Sequence, residues 1–422
     1  MGAAPVRVVA PRARRAARAR RRGGPLPSAG CVKPGPGVET RARERSAVPP
    51  RTGAVERVAL LIGQLGLGGA ERQLSLLALG LRERGIDVHV LLLARGGPHE
   101  AALRDAGITV HPLGFTRSGP LAPVRNVRAF CRMTRLLRRV RPDVLHAYLP
   151  ESYLLGVPAA RLARVPVVIA GRRGLSRFNK ARALSFTLGT AATRLADHVV
   201  ANAAAVAQDA RSVERIPARK ITVIYNGLAR SAFDRVEPER VGTGLPVVLC
   251  VARLVPEKGL AFLIEAAAIL ARRGRPCTVV LAGDGPSRDA LAARARALGV
   301  DVRLLGARTQ VGPLLAAADV VVLASLAEGM SNSIMEAMAA GRPVVATDVG
   351  GGAELLEGRG ILVPPEDPVA LSDGILRVLD DPDLAAGLGT AARAWARKNL
   401  DLDVMVDDHL ALYRRLLDDR CG

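Results

Sequence analysis

The sequence predicts an α/β protein of two Rossmann-like domains that face each other across a cleft. Three observations lead there. From Val58 onward, short runs of Val, Ile and Leu alternate with longer Ala-, Leu- and Arg-rich stretches. That is the order of parallel βαβ units with right-handed crossovers. The alternation forms two series of about six strands, interrupted near Asp234–Leu245 by a polar stretch with Pro238, Gly242 and Gly244. Finally, hydrophobic residues make up 49% of the 422 residues and aromatics only 3%. The cores must therefore be aliphatic, which suits sheets buried on both faces.

The first series of expected strands is Val58–Ile62, Val88–Leu93, Thr109–Pro112, Val144–Ala147, Val167–Ala170, Val199–Asn202 and Thr222–Tyr225. The second is Val247–Val251, Thr278–Ala282, Val302–Leu305, Val320–Ala324, Pro343–Ala346 and Ile361–Val363. Residues 55–240 and 241–395 are taken as the two domains, and 396–422 as a helical segment crossing back to the first. Ligands of open α/β sheets bind at the carboxyl ends of the strands. With two such sheets, the natural site is the cleft between them.

Charge is unevenly spread. The net charge is +22, and residues 1–54 carry 13 Lys and Arg against two acids, half of the total in about an eighth of the chain. No apolar period runs through this tail, so it reads as a disordered, solvated extension. Basic tails also suit nucleic acid or anionic membrane. The scarcity of aromatics argues against reading single-stranded nucleic acid by stacking. Five scattered cysteines without a C-x-x-C pair fit a reducing cytoplasm and no structural zinc. No apolar h-region follows the first arginines, and no uncharged apolar run reaches the roughly 20 residues of a membrane span.

Five strand ends carry candidate chemistry. The first strand runs into Gly63-Gln-Leu-Gly-Leu-Gly68-Gly69-Ala-Glu71-Arg72 ahead of a helix. Such a loop is either a bare tight turn or a place where backbone approaches a phosphate or sugar. Arg253 and Lys258 follow the first strand of the second series. They are either solvated cations or a fork and a point charge for a diphosphate. Next come the turn at Gly283-Asp-Gly285-Pro286 and the loop holding Arg308. Last is Glu328-Gly329-Met330-Ser331-Asn332-Ser333, with Glu336 eight positions after Glu328. A loop entering a helix offers free N–H groups to an anion, and the flanking carboxylates accept hydrogen bonds from sugar hydroxyls. Polar or glycine-rich loops at four successive strand ends of one domain are hard to explain by structure alone.

In order and spacing these motifs resemble glycosyltransferase family 4, a group of retaining enzymes with the GT-B fold. The resemblance also uses Pro142-Asp143-Val-Leu-His146, Asn226-Gly227, Lys258-Gly259, Ala318-Asp319 and Gly341-Arg-Pro343, and covers about residues 57–420. It looks most like the bacterial branch that builds surface polysaccharide or lipid-linked oligosaccharide. It implies that Arg253 and Lys258 hold the diphosphate of a nucleotide-sugar and that Glu328 binds the transferred sugar. Backbone N–H groups of Met330 to Ser333 would face the phosphates, with Gly329 also donor-binding and Glu336 on the ribose. Arg308 would lie beside the base, with Gly283 and Gly285 in the neighbouring turn. Gly68 and Gly69 would close from the opposite domain. The acceptor would be a glycan or lipid-linked molecule.

One departure stands out. Where many members place a His at a strand end, this chain reads Ala170-Gly-Arg172-Arg173-Gly174. Arg172 and Arg173 become acceptor-side candidates, and His146 is either a third or a packed or capping histidine. A metal-dependent transferase would place D-x-D at a strand end to hold a divalent ion. The Asp401-Leu-Asp403 string lies in a C-terminal helical region, so neither metal nor cofactor is expected. Arg125, Arg128, Arg132, Arg135 and Arg139 recur at helical spacing, with Arg161, Arg164, Arg172, Arg173, Arg177, Lys180 and Arg182 further on. The stripe is either a solvated face or a surface for anionic lipid at the inner face of a membrane. Other classes remain: a nucleotide-sugar epimerase or glycan phosphorylase of similar form, or a basic nucleic-acid-binding protein. Paired carboxylates also suggest glycoside hydrolysis, which needs carboxyls roughly 5–9.5 Å apart across one bond. Two acids gripping opposite ends of one donor fit this chain better.

Overall fold

The computed structural model describes residues 54–94, 96–116, 121–176 and 183–421. The tail expectation, apart from residue 54, and Arg177, Lys180 and Arg182 lie outside them.

The first sheet contains β1 (Arg57–Ile62), β2 (Asp87–Leu92), β3 (Thr109–Pro112), β4 (Val144–Tyr148), β5 (Val167–Arg172), β6 (His198–Ala201) and β7 (Ile221–Val223). Its order is β3-β2-β1-β4-β5-β6-β7, and every pairing is parallel. Its helices are α1 (Gly69–Glu83), α2 (Glu100–Asp105), α3 (Ala122–Val140), α4 (Pro150–Ala163), α5 (Ala183–Leu195) and α6 (Ala204–Ser212).

The second sheet contains β8 (Val247–Val251), β9 (Thr278–Ala282), β10 (Val302–Gly306), β11 (Val320–Leu323), β12 (Val344–Thr347) and β13 (Ile361–Val363). Its order is β10-β9-β8-β11-β12-β13, again parallel throughout. Its helices are α7 (Leu260–Arg272), α8 (Arg288–Leu298), α9 (Gly312–Ala317), α10 (Asn332–Ala339), α11 (Gly352–Leu356) and α12 (Pro368–Asp380), followed by α13 (Pro382–Asn399) and α14 (Leu402–Cys421). All thirteen expected strands are present, with ends displaced by at most two residues. The α/β class with two Rossmann-like sheets is therefore borne out.

Both sheets reverse direction at one place, between β1 and β4 and between β8 and β11. Those are the switch points where open α/β sheets bind ligands. One acid secures each from below. Asp143 Oδ2 accepts hydrogen bonds from the N–H groups of Glu56 and Arg57 at 2.9 and 2.8 Å. Asp319 Oδ2 accepts one from Val247 N–H at 2.7 Å. Two motif acids thus tie neighbouring central strands together at their amino ends, far from any chemistry.

The chain crosses between the domains twice. After the polar stretch near 234–245 it crosses back where Leu228 N–H donates to Leu400 O and Leu402 N–H donates to Leu228 O, at 2.7 and 3.0 Å. Helix α14 then completes the core of the first domain. Its Met405, Val406, Leu410 and Tyr413 are buried with Leu74, Leu77 and Leu81 of α1. Burying that apolar face contributes roughly 1.5–3 kcal/mol per large side chain.

Candidate active site

A cleft of about 1660 Å³ runs between the two sheets at the carboxyl ends of their strands. Loops from both domains line it, so the site is assembled by the topology. Gly68, Gly69, Arg173, Arg253, Lys258, Gly283, Arg308, Glu328, Met330, Ser331, Asn332, Ser333 and Glu336, all singled out from sequence, face it together.

The β8 end supplies the cations. Lys258 ends a short 3-10 turn, and Gly259 follows it with φ +61°. A Cβ on Gly259 would lie 2.0 Å from Ala324 O, so only glycine lets this turn pack beneath β11. That packing sets Lys258 against the next loop, where its ammonium pairs with Glu328 Oε1. Ser325 Oγ donates to the same carboxylate oxygen at 2.7 Å. The two side chains are only 19% and 13% exposed, which strengthens the attraction relative to a surface pair. Arg253 is exposed in the cleft, and its guanidinium makes no hydrogen bond or ion pair among the described residues. It is a cation left available at the β8 end.

The β11 end supplies the helix terminus. Ser331 caps α10 by accepting from Ile334 N–H at 3.4 Å, and Ser333 Oγ donates to Val251 O at 2.6 Å. These bonds pin the α10 terminus, with its orphan N–H groups, beside the β8 end, as an anion site requires. Asn332 turns to the other domain. Its Oδ1 accepts from Asn226 Nδ2 at 2.8 Å, and its Nδ2 donates to Gly69 O at 3.3 Å. One turn on, Glu336 is 7% exposed. Burial raises its pKa, and the Arg72 guanidinium paired with it pulls the other way. Arg308 pairs with Glu239 of the interdomain stretch at 3.2 Å.

Four sequence expectations need correction. His146 does not face the cleft: it is fully buried, and its Nδ1 shares a hydrogen bond with Tyr413 Oη at 2.8 Å. Helix α14 covers it. Burial and the neighbouring His409, Arg173 and His198 hold its pKa well below the ordinary value. Arg172 is also removed from the acceptor side. It is 4% exposed and paired with Glu214, itself 1% exposed. It donates to Tyr153 Oη at 2.8 Å and Ser176 Oγ at 3.0 Å. Burial opposes its charge, but Tyr153 and Glu214 outweigh that and raise its pKa.

Gly329 lies at the domain contact instead of the cleft wall, where a Cβ would meet Arg173 O at 2.4 Å. Gly285 packs against the Leu254 backbone and does not line the cleft. Arg173 does line it. Its guanidinium sits 4.3 Å from the Tyr148 ring centroid and donates to Asn226 Oδ1 at 2.9 Å.

Two contributors escape the sequence reading. Arg72 and Gln73 follow the glycine loop, and both reach α10. Their signal is the run of polar groups on the first turn after the loop. Asp401 and Asp403 sit at the start of α14, where Asp403 pairs with Arg84 at 3.0 Å and Arg230 at 2.6 Å, outside the cleft.

Two facing parallel sheets with a polar, cation-bearing cleft at their switch points define a transferase of the GT-B type. Residues 67–231 match the family Glycosyltransferase Family 4, and residues 245–381 match Glycosyl transferases group 1. Over 300 residues the chain is 33% identical to glycogen synthase of Mycobacterium tuberculosis, covering 65% of this chain and 70% of the relative. Over 177 residues it is 37% identical to Alpha-D-kanosaminyltransferase of Streptomyces kanamyceticus, covering 40% of this chain. That match spans about half of the relative's length, 46%. The structure of Anabaena Alr3699/HepE in complex with UDP-glucose superposes with a TM-score of 0.73 at 25% identity, covering 84% of this chain and 98% of that one. The chain belongs to the family 4 glycosyltransferases.

Proposed function

We propose that the protein is a retaining glycosyltransferase that moves a sugar from a nucleoside diphosphate sugar to a glycan or lipid-linked acceptor in surface polysaccharide or glycolipid synthesis. One observation carries this reading. The free Arg253, the Lys258–Glu328 pair and the α10 start with Glu336 meet in one cleft. Such a set suits a ligand that is anionic in the middle and hydroxylated at both ends.

The chemistry follows from those positions. The bond from the anomeric carbon to the diphosphate oxygen breaks, and negative charge grows on the phosphate. Arg253, Lys258 and the α10 N–H groups oppose that charge from fixed positions, with no reorganisation needed at the moment of reaction. Glu328 accepts hydrogen bonds from the sugar, with the Lys258 ammonium held beside it. The acceptor oxygen attacks from the leaving-group side, and its proton passes to the departing phosphate oxygen. The cations provide the neutralisation, so the reading invokes no metal or cofactor.

The test is a donor screen that follows nucleoside diphosphate release, beginning with uridine donors because the Anabaena neighbour was solved with UDP-glucose. Proton NMR of the product then gives its anomeric configuration. Retention with activity unchanged in chelator is expected. An inverted product, or loss in chelator restored by a divalent ion, overturns the mechanism. Turnover that needs inorganic phosphate marks a phosphorylase, and epimerised donor without transfer marks an epimerase.

The acceptor side supports a membrane partner. Arg125, Arg128, Arg132, Arg135 and Arg139 are all exposed on α3. Beside them, Leu121, Val124 and Val127 are 58%, 52% and 64% exposed. A cationic face with protruding aliphatics fits an anionic lipid surface at the inner side of a membrane. None of the described helices is long and apolar enough to span one. Salt-sensitive pelleting with anionic but not neutral vesicles is expected; equal pelleting with both, insensitive to salt, removes this partner.

A further inference from the structure

The first turn of α1 and the first half of α10 meet along matching spacings. Asn332 Nδ2 donates to Gly69 O at 3.3 Å, and Gln73 Nε2 donates to Asn332 Oδ1 at 3.4 Å. One turn further along α10, Arg72 Nη1 donates to Glu336 Oε1. Gln73 is anchored in its own domain: its Nε2 donates to Gly227 O and its Oε1 accepts from Gly227 N–H, both at 2.9 Å. The backbone that carries Arg72 is therefore rigid, and its guanidinium reaches across the cleft from a fixed base.

The pair is asymmetric. Arg72 is 39% exposed along its side chain and Glu336 8%. Only Oε1 of Glu336 is bonded, and Oε2 has no hydrogen bond among the described residues. A static interdomain strut would be expected to use both oxygens in a two-pronged grip, the geometry that Arg and a carboxylate favour. Here one oxygen is fixed and the other faces the cleft that the residue lines.

We propose that Arg72 is a positioning residue for the donor: closing the cleft brings it onto Glu336, fixing one carboxylate oxygen so that the other is aimed at the ribose hydroxyls. This rests on the glycosyltransferase reading above. Recognition of the nucleoside then depends on a contact that exists only when the two domains are together. Arg72 touches neither the sugar nor the breaking bond.

Dissociation constants for UDP, GDP and ADP, and for their 2′-deoxy and 3′-deoxy counterparts, test the idea on the whole protein. Wild type is expected to prefer the full ribose. In R72M the ribose form is expected to bind about tenfold or more weaker, the scale of a charge-assisted hydrogen bond, while the deoxy forms change little. The ribose preference collapses. R72K restores part of it, E336Q mimics R72M, and the double variant is no worse than either single one. Melting temperatures identify any variant that fails to fold, and R72K then carries the comparison.

Equal weakening of ribose and deoxyribose forms in R72M and R72K, with the preference intact, overturns the proposal and leaves Arg72 a phosphate contact or a strut. Wild type without ribose preference also overturns it. Wild type that binds no nucleotide overturns the transferase reading itself.

Discussion

Replacing Lys258 by Met tests the charge logic of the cleft at its tightest point. The ammonium and Glu328 Oε1 are in contact, and the side chains are 19% and 13% exposed. Removing the cation leaves a largely buried carboxylate held by Ser325 Oγ alone, at 2.7 Å. Losing a hydrogen bond to a charged group costs about 1.5–3 kcal/mol. For domains of this size that lowers the melting temperature by about 3–12 °C. Loss of one fixed charge opposing the developing phosphate costs about 2.7–4 kcal/mol more in the transition state, or 10²–10³ in kcat. The two effects separate in K258M/E328Q. The neutral pair removes the uncompensated carboxylate and recovers most of the melting temperature, but it recovers none of the turnover. Stability is thus non-additive across the pair while the loss of turnover persists. The assay is nucleoside diphosphate release under saturating donor, with a melting curve for each variant. If K258M turns over within a fewfold of wild type, or if the double variant regains turnover together with stability, the pair is merely structural and the assigned roles fail.

Arg172→Met is expected to cost about 3–5 kcal/mol of stability, because Glu214, 1% exposed, is left as an unpaired buried charge. The donor KM of its folded fraction should stay at the wild-type value, and a raised KM would return Arg172 to the cleft. Stability should also fall on mild acidification. Burial depresses the pKa of His198 to about 4 and of His409 to about 3. Below the unfolded value of about 6.5 the unfolded chain takes up protons that the native state refuses, so stability is lost as pH falls towards those lower values. At pH 5 this is about 2 kcal/mol for each histidine. Asp408, raised to about 6 by burial and Asp407, protonates over the same range and offsets about 1 kcal/mol. A melting temperature equal at pH 7 and pH 5 would contradict this account.

The strands are legible in the sequence because aliphatic runs and their spacing are local properties. The cleft is legible because strand ends of an α/β sheet converge, so five separate loops can be assigned to one place before any contact is known. The failures are non-local. Arg172 and Arg173 look equivalent in sequence, yet adjacent residues at the end of a strand point to opposite sides. One goes into the helical layer to meet Glu214 and the other into the cleft. The period of two in β5 contains that distinction. His146 is misplaced by sequence because Tyr413, its partner, lies 267 positions away on a helix that returns from the other domain. No spacing argument reveals that cover. Arg72 escapes for the same reason, its partner being 264 positions away. The acids of the Pro-Asp and Ala-Asp motifs are visible as pattern, but their role is tying strand feet together.

The two cleft carboxylates are eight positions apart in sequence, yet they are neutralised in different ways, and that difference orders the events on the proposed reading. Glu328 and Lys258 belong to the same domain, joined through the β8 and β11 loops. Their pair survives any motion of one domain against the other. Glu336 draws its cation from the opposite domain, so its environment changes as the cleft opens. In the closed cleft burial raises the Glu336 pKa and the Arg72 guanidinium opposes that shift. The sugar end of the site is therefore assembled in advance, while the nucleoside end is completed by closure. An incoming diphosphate meets the unpaired Arg253 first, since it alone among these charges has no partner to leave. Binding energy from the nucleoside, remote from the reacting bond, is then available to hold the cleft shut during transfer.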